Sequence, residues 1–133
     1  MRLQAIQLEA AITFLRAHPG QVSPITFSLG TNDLNDLQTL CGSDLSCYQV
    51  QAPNYLNQIS TNLNQILGEI RRAAPNSEVI TFTNYNVSFL LDPRFLELTA
   101  AFNTVVRSTA SAHQAQVADV FAAFNNGPPS SRE

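Results

Sequence analysis

Three short runs rich in β-branched residues, each separated from the next by a long helical segment, decide most of what this chain can fold into. The runs are Ile25 to Leu29, Val79 to Thr83 and Gln116 to Phe121. Strands that alternate with helices of this length do not form hairpins; they pair in parallel through right-handed crossovers. Ahead of the first run, Leu3, Ile6, Leu8, Ala11, Ile12 and Leu15 recur at helical spacing, predicting a helix from Leu3 to Ala17 that His18-Pro19-Gly20 stops. A second helix is predicted from Asn54 to Ala74, with Leu56, Ile59, Leu63, Ile66, Leu67 and Ile70 on one face and Pro75-Asn76 at its end. A third is predicted from Pro93 to His113, with Asp92 as its N-cap. Asn35 to Pro53 reads as a polar segment holding a short helix at Asp36 to Leu40. The order is α-β-α-β-α-β, an α/β fold with a parallel sheet of about three strands and three main helices. A flavodoxin-like core has about five strands, so the first strand or two of such a sheet are missing from the reading.

At 133 residues the chain has the length of one domain. Residues 1–124 form that domain, and the polar stretch 125–133, with its Gly and two Pro, reads as a disordered tail. No apolar run reaches membrane-spanning length. All seven basic residues are Arg, scattered along a chain of net charge −3, which argues against nucleic-acid binding. Arg71-Arg72 reads as a solvated helix end, favourable to the helix dipole. Few charges beside many Asn and Gln lean towards an extracellular protein, although Met1-Arg2 leads into an amphipathic segment rather than a signal peptide. Cys41 and Cys47 bracket a short polar stretch. A loop-closing disulfide and two free thiols are both open at this point, whereas two thiolates without nearby partners do not make a metal site. Nothing in the sequence calls for a cofactor.

The chemistry is carried by Leu29-Gly30-Thr31-Asn32-Asp33-Leu34, at the end of the first strand. Ligands of open α/β sheets bind at the carboxyl ends of the strands. A glycine there allows a sharp turn, and an Asn amide can donate to a developing oxyanion. The Gly-Thr-Asn-Asp string resembles the third conserved block of the SGNH hydrolases, also called the GDSL esterase/lipase family. The likeness runs from about Leu3 to Asn125. It is similar in particular to bacterial secreted members, through Gln7-Leu8-Glu9-Ala10-Ala11-Ile12-Thr13-Phe14-Leu15 before the block and Ala118-Asp119-Val120-Phe121 in the last strand. The resemblance implies a partial three-layer sandwich and acyl transfer through a serine ester. It makes Asn32 the oxyanion donor, with Gly30 and Asp33 supporting its loop. The family's Gly-Asp-Ser nucleophile block and its Asp-x-x-His block have no matching positions, so neither nucleophile nor base is assigned. That pattern is expected of a fragment that is inactive as an isolated chain.

Other candidates have plainer readings. Gly42-Ser43-Asp44-Leu45-Ser46 contains the block's residues in the wrong order and reads as a turn. Ser28 reads as a packed strand residue, His18 and His113 as helix-end residues, and Asp119 as a strand or loop carboxylate. Tyr85, after the second strand, is a candidate for lining the cleft. Two functions remain to be separated. One is part of a carboxylic-ester hydrolase acting on a small ester or acyl lipid. The other is a non-catalytic binding or pairing module that self-associates through an exposed sheet edge.

Overall fold

The computed structural model describes residues 2–85 and 94–125. Helix α1 (Arg2–Ala17) leads into strand β1 (Ile25–Phe27), followed by α2 (Thr31–Cys41), α3 (Leu45–Ala73), β2 (Val79–Phe82), α4 (Arg94–Ala112), β3 (Gln116–Ala118) and α5 (Val120–Asn125). The strands lie in the order β1-β2-β3, all parallel. Ile25, Thr26 and Phe27 pair with Val79, Ile80 and Thr81, and Ile80, Thr81 and Phe82 with Gln116, Val117 and Ala118. The predicted α/β architecture with a three-stranded parallel sheet is what the described residues form.

Alternation along β2 explains how the sheet meets its helices. Val79 and Thr81 are buried, while Ile80 and Phe82 face the other way and are half-buried. On the buried face, Ile12 and Leu15 of α1 join Leu67 and Ile70 of α3, Ala74 and Val79 in one cluster. A second cluster brings Ile59 and Leu63 of α3 against Phe102 and Val106 of α4, with Phe27, Leu29 and Leu34 packed around it. α3 therefore lies between α1 and α4, and belongs to both clusters.

Three predicted boundaries need correction. The segment from Asn35 to Pro53 is helical almost throughout. α2 begins at Thr31, directly after the first strand, and α3 begins at Leu45 and runs through Pro53. Asp44 caps α3, its carboxylate accepting the N–H groups of Ser46 at 2.9 Å and Cys47 at 3.3 Å. The sulfurs of Cys41 and Cys47 are bonded across the α2–α3 turn, with Cα atoms 5.4 Å apart. The last strand stops at Ala118. Asp119 then accepts the N–H of Ala122 at 3.0 Å and caps α5, so Val120 and Phe121 are helical. The predicted cap at Asp92-Pro93 lies outside the described residues, as does the tail beyond Asn125.

Arg71 is not a solvated helix end either. It is half-buried, and its guanidinium donates to four carbonyls. These are His113 O (3.2 Å), Pro75 O (3.2 Å), Ser77 O (2.8 Å) and Gln114 O (3.0 Å). The turn from α3 to β2 and the turn from α4 to β3 are thus held by one planar group. Arg72, its neighbour, is exposed.

Candidate active site at the carboxyl end of the sheet

Gly30 organises the site. Its φ of +96° is left-handed, the region that costs a side chain strain, and it forms the N-cap of α2. Its carbonyl accepts the N–H of Leu34 at 3.2 Å. A Cβ at this position would collide with the Cε2 and Cζ atoms of Phe102, which is fully buried in α4. Only glycine lets the loop after β1 lie this close to α4. The loop then turns directly into α2, and Thr31, Asn32 and Asp33 occupy that helix's first turn.

Asn32 is exposed, and its side chain makes no hydrogen bond among the described residues. Being in the first turn, it sits where the free N–H groups and the positive end of the helix dipole favour negative charge. Asp33 is half-buried on the α3 side of the loop, in a shallow recess with Leu29, Ile59, Asn62, Leu63 and Ile66. Burial pushes its carboxyl above the ordinary carboxylate value, and the charge of Asp36 adds to this, against the pull of its own backbone N–H.

The loop after β2 forms the other wall. Thr31 donates its hydroxyl to Asn84 Oδ1 at 3.3 Å, tying the β1 loop to the β2 loop. Asn84 is in turn clasped by Asn103 of α4. Its N–H donates to Asn103 Oδ1 and its carbonyl accepts from Asn103 Nδ2, both at 2.8 Å. Asn84 Nδ2 is buried and has no partner among the described residues. Neither Asn84 nor Asn103 stands out in the sequence. The signal available was the position of Asn84 directly after a strand, paired with an Asn on the core side of the next helix. Tyr85 is exposed beside them, and its ring stacks on Phe124 of α5 at 4.9 Å.

Thr83 closes this end towards β3. Its hydroxyl donates to Asp119 Oδ1 at 3.1 Å and accepts the N–H of Phe121 at 2.9 Å. Arg107 donates to the other oxygen of Asp119 at 2.7 Å. Asp119 is held below the ordinary carboxylate value, first by the N–H of Ala122 and then by Arg107. This carboxylate is a helix cap and ion-pair partner.

The remaining candidates are elsewhere. His18 closes α1, its Nδ1 2.9 Å from the carbonyl of Phe14. His113 follows the end of α4, its Nε2 3.0 Å from Asn64 Oδ1. Helices that connect parallel strands end at the strands' amino edge, so both histidines are at the opposite end of the sheet from Asn32. Ser28 is exposed just beyond β1, not packed in the strand. Ser43 is in the disulfide-closed turn. The structure does not bring a serine and a histidine together at the carboxyl end among the described residues, and no cluster of metal-ligating side chains occurs among them.

A groove runs between α3 and α4. Leu45, Tyr48, Ala52 and Leu56 of α3 face Leu98 and Ala101 of α4 across a mainly apolar space of about 410 Å³. The disulfide-closed turn, through Gly42 and Ser43, forms one end of this groove.

A family model described as GDSL-like Lipase/Acylhydrolase family matches residues 4–133. Among solved structures, the chain is similar to phospholipase A1 from Streptomyces albidoflavus NA297, at 20% sequence identity and a TM-score of 0.60. That likeness covers 85% of this chain and 56% of the other, so this chain spans little more than half the length of that structure. No curated protein matches it. At this identity the structural likeness speaks for the fold.

Proposed function

We propose that this chain, which belongs to the GDSL-like lipase/acylhydrolase family, supplies the oxyanion-stabilising side of a carboxylic-ester hydrolase site. In such a reaction a serine oxygen bonds to the acyl carbon and its proton passes to a histidine. The carbonyl oxygen carries the developing negative charge until the alcohol leaves, and water then releases the acid. Asn32 Nδ2 is the donor to that oxygen, and the first turn of α2 reinforces it. Gly30 and Asp33 hold the donor's loop. The observation that carries this reading is an exposed Asn amide, without a partner among the described residues, on a braced loop in the first helical turn after a strand's carboxyl end.

The apolar groove between α3 and α4 suits the acyl or alkyl part of an ester, being within the usual size of small-molecule pockets. Neither histidine of the described residues reaches the carboxyl end, so the isolated chain is expected to be inactive. A fluorophosphonate probe should leave it unlabelled and p-nitrophenyl butyrate should turn over at background rate. Specific labelling of one serine would overturn that expectation.

The oxyanion role is tested by titrating isotopically labelled protein with diethyl phosphate, a tetrahedral anion. The Asn32 side-chain NH2 resonances should shift in a saturable way. An unchanged Asn32 at saturating probe, with other cleft resonances moving, would remove it from the role.

A second reading is a non-catalytic pairing module. It is favoured by the outer edge of β1, which has no strand partner among the described residues, and by the exposed Ile6 and Phe14 on α1. Sedimentation velocity separates the two. A concentration-dependent dimer supports pairing, and a monomer throughout argues against it.

A further inference from the structure

Two consecutive residues of α4 hold the two loops at the carboxyl end of the sheet. The ring of Phe102 lies where a Cβ of Gly30 would be, against the loop after β1. Asn103, the next residue, is only 3% exposed and uses both ends of its side-chain amide on the backbone of Asn84, in the loop after β2. Its Oδ1 accepts the Asn84 N–H and its Nδ2 donates to the Asn84 carbonyl, each at 2.8 Å. A buried amide bonded at both ends to one residue's backbone fixes that residue in place and orientation, because leaving either bond unmade is costly. Asn84 is buried as well.

The start of α2 needs such an anchor. Its N-cap is Gly30, which has no side chain to bond the free N–H groups of the first turn and whose backbone is the most permissive of any residue. Thr31, the first residue of the helix, is held instead by the bond from its hydroxyl to Asn84 Oδ1 at 3.3 Å. Only the oxygen of the Asn84 amide has a partner among the described residues, so the bond to Thr31 is the side chain's whole tie there. Asn32 is the next residue along. A continuous route therefore runs from the Asn103 side chain, through the backbone and then the amide oxygen of Asn84, to the helical turn that carries Asn32.

Resting on the oxyanion reading of Asn32, we infer that Asn103 is a positioning residue for that donor. It acts through Asn84 and Thr31, which transmit the fixed position of α4 to the first turn of α2. Cutting the route leaves the two hydrophobic clusters in place but lets that turn take up several orientations. A donor that must be ordered as the ligand arrives holds it less tightly than one already in position. The effect of Asn103 is therefore read as affinity at Asn32, separately from the stability of the chain. Because the links are in series, cutting two of them costs no more affinity than cutting one.

The test is a double-mutant cycle on the affinity for diethyl phosphate, read at the Asn32 side-chain NH2 resonances of the labelled 133-residue chain. Thr31→Val removes the hydroxyl at an exposed position and should weaken binding by about fivefold or more. Thr31→Ser keeps the hydroxyl and should stay within about twofold of the parent. Asn103→Ala should weaken binding as Thr31→Val does, and the double variant should lie within about twofold of the weaker single. Parent-like affinity in Thr31→Val, or in a folded Asn103→Ala chain, would overturn the inference and leave the oxyanion reading standing. Losses that multiply in the double variant would do the same. If Asn32 does not respond in the parent chain, the oxyanion reading falls and the inference with it. Should Asn103→Ala fail to fold, the Asn103 side-chain NH2 resonances decide. They should follow the Asn32 saturation curve in the parent and lose that response in Thr31→Val, and an unresponsive Asn103 in the parent would overturn its role.

Discussion

Replacing Gly30 by Ala isolates the contact on which the site's geometry depends. Two costs arise together. At φ +96° an L-residue with a Cβ is strained by about 1–2 kcal/mol. The same Cβ meets the ring of Phe102, which has no room to retreat because it is fully buried. Overpacking of this kind costs about 1–3 kcal/mol. The sum is about 2–5 kcal/mol, a large share of the roughly 5–15 kcal/mol that holds a domain folded. Urea unfolding followed by circular dichroism should show the loss of stability, and thermal unfolding a fall of roughly 10 °C in Tm. Phe102→Leu removes the two ring atoms concerned. The double variant Gly30→Ala/Phe102→Leu should therefore be less destabilised than the sum of the singles by about 1–2 kcal/mol. Additivity within about 0.5 kcal/mol would show that the ring is not what the glycine makes room for. A Gly30→Ala chain as stable as the parent would refute the argument altogether.

Four other groups give further outcomes. Arg71→Met leaves four carbonyls without their donor and should cost about 2–4 kcal/mol in urea unfolding, while Arg72→Ala should stay within about 0.5 kcal/mol. Reducing the Cys41–Cys47 bond, which closes a loop of sequence separation 6, should lower stability by about 2 kcal/mol, and Cys41→Ser/Cys47→Ser should reproduce this without reductant. The depressed pKa of Asp119 means that its stabilising contribution is present above the unfolded carboxylate value and is lost as pH falls through the lower folded value. Asp119→Asn should therefore flatten the acid side of the stability profile, whereas Asp33→Asn, at a carboxyl with a raised value, should stabilise at neutral pH and have little effect at pH 3.

The strand-and-helix alternation was readable because β-branched runs and 3.6-residue spacing are strong local signals. Val79 to Phe82 and the core face of α3 are the clearest cases. The region from Thr31 to Pro53 misled because its helices carry polar side chains and a proline. Pro53 is well inside α3, where it forgoes one backbone bond that tertiary packing outweighs. The sign that α3 starts earlier was present: Asp44 as a cap, then Leu45, Tyr48, Ala52 and Leu56 at helical spacing. The sequence leaves Asp119 as a strand or loop carboxylate because Val120 and Phe121 have high strand propensity; its carboxylate in fact accepts the N–H of Ala122 and turns the chain into α5. The position of Asn32 just past the first strand's carboxyl end was legible from the glycine-containing string. The tie that Asn84 makes was not, because nothing local distinguishes a residue that joins two elements from an ordinary turn residue; its partners Thr31 and Asn103 are distant in sequence.

The four-carbonyl grip of Arg71 also bears on how the molecule opens. Pro75 and Ser77 belong to the entrance of β2, and His113 and Gln114 to the entrance of β3. Releasing either turn by itself strands the same guanidinium. The amino edge of the sheet is thereby one cooperative unit, and its backbone amides should exchange with deuterium together rather than peel away from β3 inward.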